Sequence, residues 1–274
     1  MHEQADKAAK FRELHARPRP FLIPNPWDRG SALILESMGF EALATTSLGV
    51  ANMLGQTGVT LRQVLDNCRE ICAATRLPVN ADLENCFADD PREAARAIRL
   101  ACEHGAVGGS IEDATGDPQK PIYDFTLAVE RVQAAAEVAR SLPVPFMLTA
   151  RAENFLKGRR DMDDTIRRLQ AFEAAGADVL YAPGLHSLAE IRAVTSALKK
   201  PFNLVMGFAD PTITLDQLGE AGVRRVSIGG GLSRVALKAF MDAARQMREG
   251  RFAFITAMAS IEELQGAFQR PPRP

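Results

Sequence analysis

The chain has 274 residues, of which 46% are apolar and 24% are charged, the composition of a soluble globular protein. Its 33 basic and 34 acidic residues nearly cancel. This balance argues against a nucleic-acid partner or an anionic membrane surface, because both select clustered positive charge. No apolar run approaches the ~20 residues of a membrane span, and the polar N-terminal segment lacks the apolar core of a signal peptide. We therefore expect a cytoplasmic protein.

Short apolar runs alternate along the chain with longer stretches of helical period. Eight such strand–helix units without an intervening linker predict one α/β domain over residues 1–274, a (β/α)8 TIM-type barrel. A doubly wound sheet is the alternative, but its usual GxGxxG turn is replaced here by PNPWDRG. The predicted strands lie near Phe21–Pro24, Ala42–Thr46, Val79–Asp82, Val107–Glu112, Phe146–Arg151, Val179–Ala182, Phe202–Met206 and Val226–Gly229.

Helix boundaries are readable at several places. Apolar residues recur at helical spacing over Thr60–Thr75. Pro91 follows two aspartates, which predicts a capped helix start. A helix over Asp161–Ala175 is expected to end at Gly176.

The C-terminal region predicts one more helix, near Ile255–Phe268, after the eighth unit. The Pro/Arg-rich tail, 269–274, is expected to be disordered or draped over a neighbouring subunit. Cys68 and Cys72 are four residues apart in a helical stretch, which indicates core thiols rather than a disulfide or zinc site.

Polar residues concentrate at the ends of strands 2 to 5, where a barrel of this type places its active site. Strand period puts Asn80, Asp82 and Glu84 on one side of the chain. Glu112 ends the next strand, so these carboxylates are expected to converge. Oxygen ligands of this kind suit Mg²⁺, or Mn²⁺, and predict a metal site formed by Asp82, Glu112 and Glu84. The alternative is that some of them cap helices or pair with arginine.

An arginine at the end of strand 5 offers a planar fork for a substrate carboxylate. This residue is Arg151, and its alternative role is a structural salt bridge to Glu112 or Glu153. The small residues around Thr46 and Ser47 are suited to hold an oxyanion, or form only a tight turn.

Four segments together resemble the isocitrate lyase/phosphoenolpyruvate mutase superfamily: NPWDRGSALILESMGFEALATTSLGVAN, PVNADLE, GGSIEDA and TARAENF. The resemblance covers nearly the whole chain. It implies an α/β barrel whose eighth helix is often exchanged between subunits, hence a homo-oligomer, a dimer or tetramer. It also implies Mg²⁺ and a 2-keto acid or its enolate as substrate.

The superfamily's substrate and metal residues can be placed on matching positions of this chain. The resemblance implies a clamp for the enolate carboxylate at Thr46, Ser47, Leu48 and Arg151, a strand-3 D-x-D metal motif at Asn80 and Asp82, and a metal-shell glutamate at Glu112.

The chain departs from the superfamily pattern in four places. The first aspartate of D-x-D is Asn80, and a metal-shell aspartate expected soon after the strand-2 loop is replaced by Thr57. The KKCGH loop is absent, since the chain reads DATGDPQKPIYDF after strand 4. The strand-6 His or Glu is replaced near Pro183. These departures argue against isocitrate and methylisocitrate lyase activity.

The remaining features predict a Mg²⁺-dependent carbon–carbon lyase or decarboxylase acting on a small 2-keto (di)carboxylate through a pyruvate-type enolate. Glu84, Tyr181 and Tyr123 are the candidate proton carriers, and segment 113–124 is the expected gating loop. A phosphonopyruvate-type mutase or hydrolase and a non-catalytic keto-acid binder are the alternatives.

Two further functions receive less support from the residues. A Schiff-base aldolase requires a strand lysine, whereas Lys120 and Lys157 lie in predicted loops. A phosphate-binding barrel would use the loops MGFAD and IGGGLSR after strands 7 and 8.

Overall fold

The computed structural model describes residues 2–269, and within them eight parallel strands form one sheet in the order β1-β8-β7-β6-β5-β4-β3-β2. Its two edges meet where the Ala44 N–H donates to the Pro24 carbonyl at 3.1 Å, which closes the barrel. The predicted (β/α)8 fold is confirmed. The strands are β1 (Phe21–Leu22), β2 (Leu43–Ala44), β3 (Val79–Ala81), β4 (Gly108–Glu112), β5 (Met147–Arg151), β6 (Val179–Tyr181), β7 (Phe202–Val205) and β8 (Val223–Ser227).

Helices surround the barrel, and three of them begin or end as the sequence predicts. Thr60 and Gln63 form a capping box at the start of the helix that ends before Thr75. Asp90 caps the helix that begins at Pro91, and Gly176 ends the helix whose N-cap is Asp161. The helices are α1 (His2–Ala16), α2 (Arg29–Ser37), α3 (Ser47–Leu54), α4 (Leu61–Ala74), α5 (Pro91–Glu103), α6 (Phe125–Ser141), α7 (Met162–Ala175), α8 (Leu188–Ser196), α9 (Leu215–Glu220), α10 (Gly231–Arg248) and α11 (Ile261–Phe268).

Two predicted elements need correction. β8 begins at Val223, three residues before the predicted start, because Val223 is buried and pairs with Phe202 of β7. The predicted C-terminal helix is divided into a 3-10 turn, Ala253–Ala257, and α11. Ser260 caps α11 and must be extended to do so, which interrupts the helix. The predicted tail, 269–274, lies outside the described residues except for Gln269.

Helix α1 closes the amino-terminal end of the barrel and was not predicted. Its residues Ala8, Phe11 and Leu14 are buried against residues at the strand beginnings, among them Phe21 and Met147. His15 is also buried and packs edge-on against Phe11. The spacing of these residues is a helical signal hidden in a segment of mostly polar composition. The four cysteines, Cys68, Cys72, Cys86 and Cys102, are free and buried in the main core, as predicted for the first two.

Candidate active site

A single cavity of about 450 Å³ opens at the carboxyl ends of the strands. This is where active sites of such barrels lie, because successive strand ends and their loops meet there. Apart from Tyr123, the cavity gathers the residues that the sequence assigned to metal, substrate or catalysis: Thr46, Ser47, Leu48, Asn80, Asp82, Glu84, Glu112, Arg151 and Tyr181.

Arg151 is the centre of a buried charge network at the rim of the cavity. Its guanidinium lies 3.1 Å from Asp82 Oδ1, 3.0 Å from Glu112 Oε2 and 2.8 Å from Glu153 Oε1. All four side chains are at least four-fifths buried. The salt bridge considered as an alternative from the sequence is therefore present, to both Glu112 and Glu153.

Burial and charge shift the pKa values of this network strongly. Burial raises the pKa of Glu112 well above its usual value, and the attraction of Arg151 offsets only part of this. Burial raises the pKa of Glu84 as well, and repulsion from Asp82 adds to it. Burial lowers the pKa of Arg151, but Glu112 and Glu153 outweigh it, so that its pKa lies well above the ordinary value. At the rim, four carboxyl groups therefore share one guanidinium: those of Asp82, Glu84, Glu112 and Glu153.

The cavity carries oxygen donors of the type Mg²⁺ prefers, without a preformed metal cluster. The described residues contain no group of three or more His, Cys, Asp or Glu side chains arranged to hold an ion. Two predicted ligands, Asp82 and Glu112, bind Arg151 instead. Asn80 Oδ1 is buried without a hydrogen-bond partner, and a Cβ on Gly108 would lie 2.8 Å from it. The donor chemistry and this unpartnered oxygen fit a hard cation, provided that Arg151 releases its carboxylates.

The predicted oxyanion segment is the start of helix α3. Thr46 is the N-cap and accepts the Gly49 N–H at 3.3 Å. Ser47 donates its backbone N–H and its hydroxyl to Asp82 Oδ2, at 2.9 and 3.0 Å. A helix start offers backbone donors and positive potential to an anion. Ser47 therefore links this helix start directly to the carboxylate cluster.

Tyr181 and Tyr123, two candidate proton carriers, occupy different environments. Tyr181 lines the cavity with its ring 4.8 Å from the Arg151 guanidinium carbon, and burial raises its pKa. Tyr123 lies outside the cavity lining and is hydrogen-bonded to Asp89 and Asn85. Burial raises the pKa of Tyr123 to about 12. Only Tyr181 is placed to contact a molecule in the cavity.

The predicted gating segment forms a short hairpin over the cavity. Ala114 and Ile122 form an antiparallel bridge, and the backbone N–H of Tyr123 donates to the Asp113 carbonyl at 2.8 Å. Asp113 anchors the base, since it accepts the Glu153 N–H at 2.7 Å and pairs with Arg168 at 3.0 Å. Gly116, near the exposed tip, lines the cavity. Asp113 thus holds the base of the hairpin to the loop after β5 and to α7.

The remaining predicted positions bear on the alternatives. Thr57 is exposed beyond α3 and does not line the cavity. Asn25 Oδ1 accepts the N–H groups of Ile228 and Gly229 at 3.1 and 2.9 Å, so these phosphate-loop donors are already engaged. None of the eight strands, all within residues 2–269, contains a lysine. Both observations weigh against the phosphate-binding and Schiff-base alternatives.

Sequence reasoning missed the deeper part of the cavity. Arg225, Asn203 and His15 form a hydrogen-bonded group below the rim, and the first two line the cavity. Arg224 and Arg225 lie on β8, before the start predicted for that strand. The available signal in the sequence was Val223, an apolar residue directly after Gly222.

This arrangement of a closed parallel barrel with an acidic, arginine-containing pocket at its strand ends is that of a barrel enzyme. Residues 11–248 match the family described as phosphoenolpyruvate phosphomutase. The chain belongs to this family, within the isocitrate lyase/phosphoenolpyruvate mutase superfamily.

Solved and curated relatives agree with this assignment. A candidate lyase/mutase of Burkholderia cenocepacia J2315 has a crystal structure that is 53% identical over 99% of this chain and 98% of that one, with a TM-score of 0.96. The 2-methylisocitrate lyase of Escherichia coli is 29% identical over 78% of this chain and 75% of its own length. The oxaloacetate decarboxylase of Bradyrhizobium diazoefficiens is 29% identical over 88% and 85%.

Proposed function

We propose that the protein is a Mg²⁺-dependent carbon–carbon lyase or decarboxylase for a small 2-keto (di)carboxylate, acting through a pyruvate-type enolate. The observation that carries the proposal is the position of Arg151. Its buried guanidinium shares one cavity with Asp82, Glu112 and the start of α3. Anion donors beside hard-cation ligands are what an enolate of a 2-keto acid requires. The 2-methylisocitrate lyase and oxaloacetate decarboxylase relatives support the same reaction type.

Binding of the substrate would use donors that now hold carboxylates. Arg151 would bind the substrate carboxylate bidentately, and Thr46, Ser47 and Leu48 would contact its other oxygens. Asn80 would contact substrate or metal through its unpartnered oxygen. Arg151 contacts three protein carboxylates in the described structure. Binding would therefore require Arg151 to release protein carboxylates and pair with the substrate carboxylate instead.

Mg²⁺, with Mn²⁺ as the alternative, would be held by Asp82, Glu112 and Glu84. When bound, it would polarise the keto oxygen and stabilise the enolate. Burial, and then repulsion from neighbouring carboxylates, raises the pKa values of Glu84 and Glu112, and a bound cation would relieve that repulsion.

Proton transfer would rest on Glu84 or Tyr181. The cavity lining, within the described residues, contains no Cys or His, in keeping with the missing KKCGH loop. Glu84 is half-buried and its raised pKa brings it nearer the range of a general base. Tyr181 keeps its proton, since burial raises its pKa, and would donate a hydrogen bond. Decarboxylation places the smallest demand on these groups because CO₂ leaves without a proton.

The deciding experiment measures pyruvate release from a panel of 2-keto dicarboxylates, 2-alkylmalates and phosphonopyruvate, with Mg²⁺ and with EDTA. We expect turnover that EDTA abolishes. Absence of EDTA-sensitive product from every compound would refute the lyase proposal. Asp82→Ala should lose activity, and full activity in that variant would refute the metal assignment.

Two other functions remain as alternatives. A phosphonopyruvate mutase or hydrolase is favoured by the matched family and by Lys157 and Arg234, two cations in the cavity lining. A non-catalytic keto-acid binder is favoured by the engagement of Arg151 with three carboxylates. Turnover of phosphonopyruvate alone would indicate the first; a hydrolase would release pyruvate and phosphate, and a mutase would form phosphoenolpyruvate, which phosphorus NMR detects. Binding without turnover would indicate the second.

The eighth barrel helix supports a homo-oligomer with helix exchange. Of the residues in α10, only Ser233 is buried, whereas Val235 and Phe240 are about 70% exposed. Leu22, on the outer side of β1, is 43% exposed where a barrel helix would normally cover it. The apolar side of α10 would cover this region in a second copy, giving a dimer or tetramer. Light scattering should show an oligomer that Phe240→Asp dissociates.

The location of the protein also remains a proposal. No described helix is both long and apolar enough to cross a membrane. We retain the predicted cytoplasmic location, which fractionation would test.

A further inference from the structure

Arg225 is a buried cation without a counter-charge at the floor of the cavity. It lies on β8, is 3% exposed and lines the cavity. Among residues 2–269 it takes part in no ion pair, in contrast to Arg151. A buried charge is normally paired, because removing it from water costs free energy that only an opposite charge or several hydrogen bonds offset.

Its hydrogen-bond partners are neutral. Nε donates to Asn203 Oδ1 at 2.8 Å, and Nη2 donates to Thr149 Oγ1 at 3.0 Å. Nη1 lies 3.4 Å from His15 Nε2. His15 Nδ1 is 2.7 Å from the Phe11 carbonyl, so Nδ1 carries the proton and Nε2 accepts. A guanidinium has five N–H donors, and these partners engage three of them, leaving one on each terminal nitrogen.

The titration behaviour of both partners agrees with this deficit of negative charge. Burial lowers the pKa of Arg225 to about 9. Burial and then the charge of Arg225 lower the pKa of His15 to about 3, so the imidazole is neutral at pH 7. An anion entering the floor of the cavity would supply the missing charge.

The floor and the rim belong to one cavity and lie at different depths. Residues Arg151, Tyr181, Asn203 and Arg225 are paired in register across β5 to β8. Strands in a barrel are tilted, so such a row descends from rim to floor. Thr149, which accepts a hydrogen bond from Arg225, precedes Arg151 by two residues on β5. Because both guanidiniums line the same cavity, one molecule with an anionic group at each end can reach both.

We propose that Arg225 binds the second carboxylate of the substrate and thereby selects dicarboxylates over monocarboxylates. The catalytic part of this statement rests on the proposed function, whereas anion binding by Arg225 does not. Asn203 and Thr149 position the guanidinium, and Arg151 holds the other carboxylate at the rim.

The test compares calorimetric binding of succinate and butyrate, two unreactive acids of equal carbon number, at constant ionic strength. The wild type is expected to bind succinate at least about tenfold more tightly, since a charged hydrogen bond to a buried guanidinium is worth about 1.5–3 kcal/mol. Thr149→Asp places a carboxylate beside Arg225 and should abolish the preference. The matched neutral variant, Thr149→Asn, should keep it. Arg225→Gln, if it melts cooperatively, should behave like Thr149→Asp.

Each outcome decides the proposal. Equal binding of the two acids by the wild type, or no succinate binding, overturns it. A preference that survives Thr149→Asp, or that Thr149→Asn also loses, overturns it too. A charge-dependent succinate preference without turnover of any keto acid would refute the proposed lyase function and leave the anion site standing. Turnover of a keto acid without a preference for succinate would refute the anion site at Arg225 and leave the proposed lyase function standing.

Discussion

Arg151 and Arg225 lie in one cavity and in one row of paired strand residues, yet their surroundings are opposite. Arg151 contacts three carboxylates, and its pKa is raised well above the usual value. Arg225 contacts only neutral groups, and burial lowers its pKa to about 9. The rim lacks positive charge and the floor lacks negative charge. A cation at the rim and an anionic group at the floor would balance the charge in both places. The cavity is therefore suited to a metal cation together with an anionic substrate.

The largest effect is expected from Arg151→Met. This variant removes the proposed carboxylate contact and leaves Asp82, Glu112 and Glu153 without their cation. We expect kcat/KM to fall by about 10³, the upper range for loss of an anion-stabilising donor, and the free energy of unfolding to fall by about 3 kcal/mol. Initial rates and urea unfolding would measure these effects.

Arg151→Lys is the matched control for that variant. It keeps the charge but not the fork, so most of the stability should return while turnover stays low. An unchanged free energy of unfolding in Arg151→Met would show that the rim carboxylates do not need a cation.

Glu84→Gln, assayed at saturating Mg²⁺, tests proton transfer at the rim, because excess metal compensates for a weakened ligand but not for a lost proton carrier. We expect turnover to fall by about 10², the lower range for general acid–base catalysis. In the wild type, turnover should decline as the pH falls through the raised pKa of Glu84, because its carboxylate form is lost. The Gln variant should lack this decline. Tyr181→Phe is the comparison, and a larger loss in Tyr181→Phe would move the role of proton carrier to the tyrosine.

The floor should control the acid sensitivity of folding through His15. Its pKa is about 3 in the folded protein against 6.5 for the free group, so the unfolded chain binds the proton first as the pH falls. The full contribution of His15 to stability is present above pH 6.5 and is lost toward pH 3. The loss is about 1.4 kcal/mol per pH unit, or about 2 kcal/mol at pH 5.

Urea unfolding of wild type and His15→Gln at several pH values isolates this term. The difference between the two proteins should change between pH 7 and pH 5. Parallel pH profiles would mean that His15 has the same pKa in the folded and the unfolded chain and that the floor is less positive than described.

The smallest effect is expected at the hairpin tip. Thr115 Oγ1 donates to the Lys120 carbonyl and accepts the Asp117 N–H at 2.9 Å. Thr115→Ala should loosen the tip at a cost of about 1 kcal/mol and raise KM a few-fold, with little change in melting temperature. The hairpin lies above the rim, so the succinate preference assigned to Arg225 should persist. Loss of the succinate preference in Thr115→Ala would show that the hairpin connects anion binding at the floor to the rim.

The predictable elements are those in which the capping and turn residues agree with the spacing of the buried apolar residues. Thr60, Pro91 and Gly176 mark helix boundaries in the sequence and in the structure. The start of β8 and helix α1 were not found, because arginines and other polar residues disguise buried positions there. Arg225 carries a charged side chain and is nevertheless buried. Local sequence patterns reflect the average exposure of each residue type, whereas burial of a charged residue depends on partners that are distant in sequence.

The sequence alone determined the alternation of strands and helices, the barrel and the residues at its strand ends, since these follow from hydrophobic period, turn residues and motifs. Only the tertiary structure decided how the charges pair. Glu112 meets Arg151 from the neighbouring strand β4, Asp82 meets it from the end of β3, and Arg225 meets His15 from a helix 210 residues away. Pairing depends on distances of a few ångströms in a low-dielectric interior, which no spacing along the chain specifies.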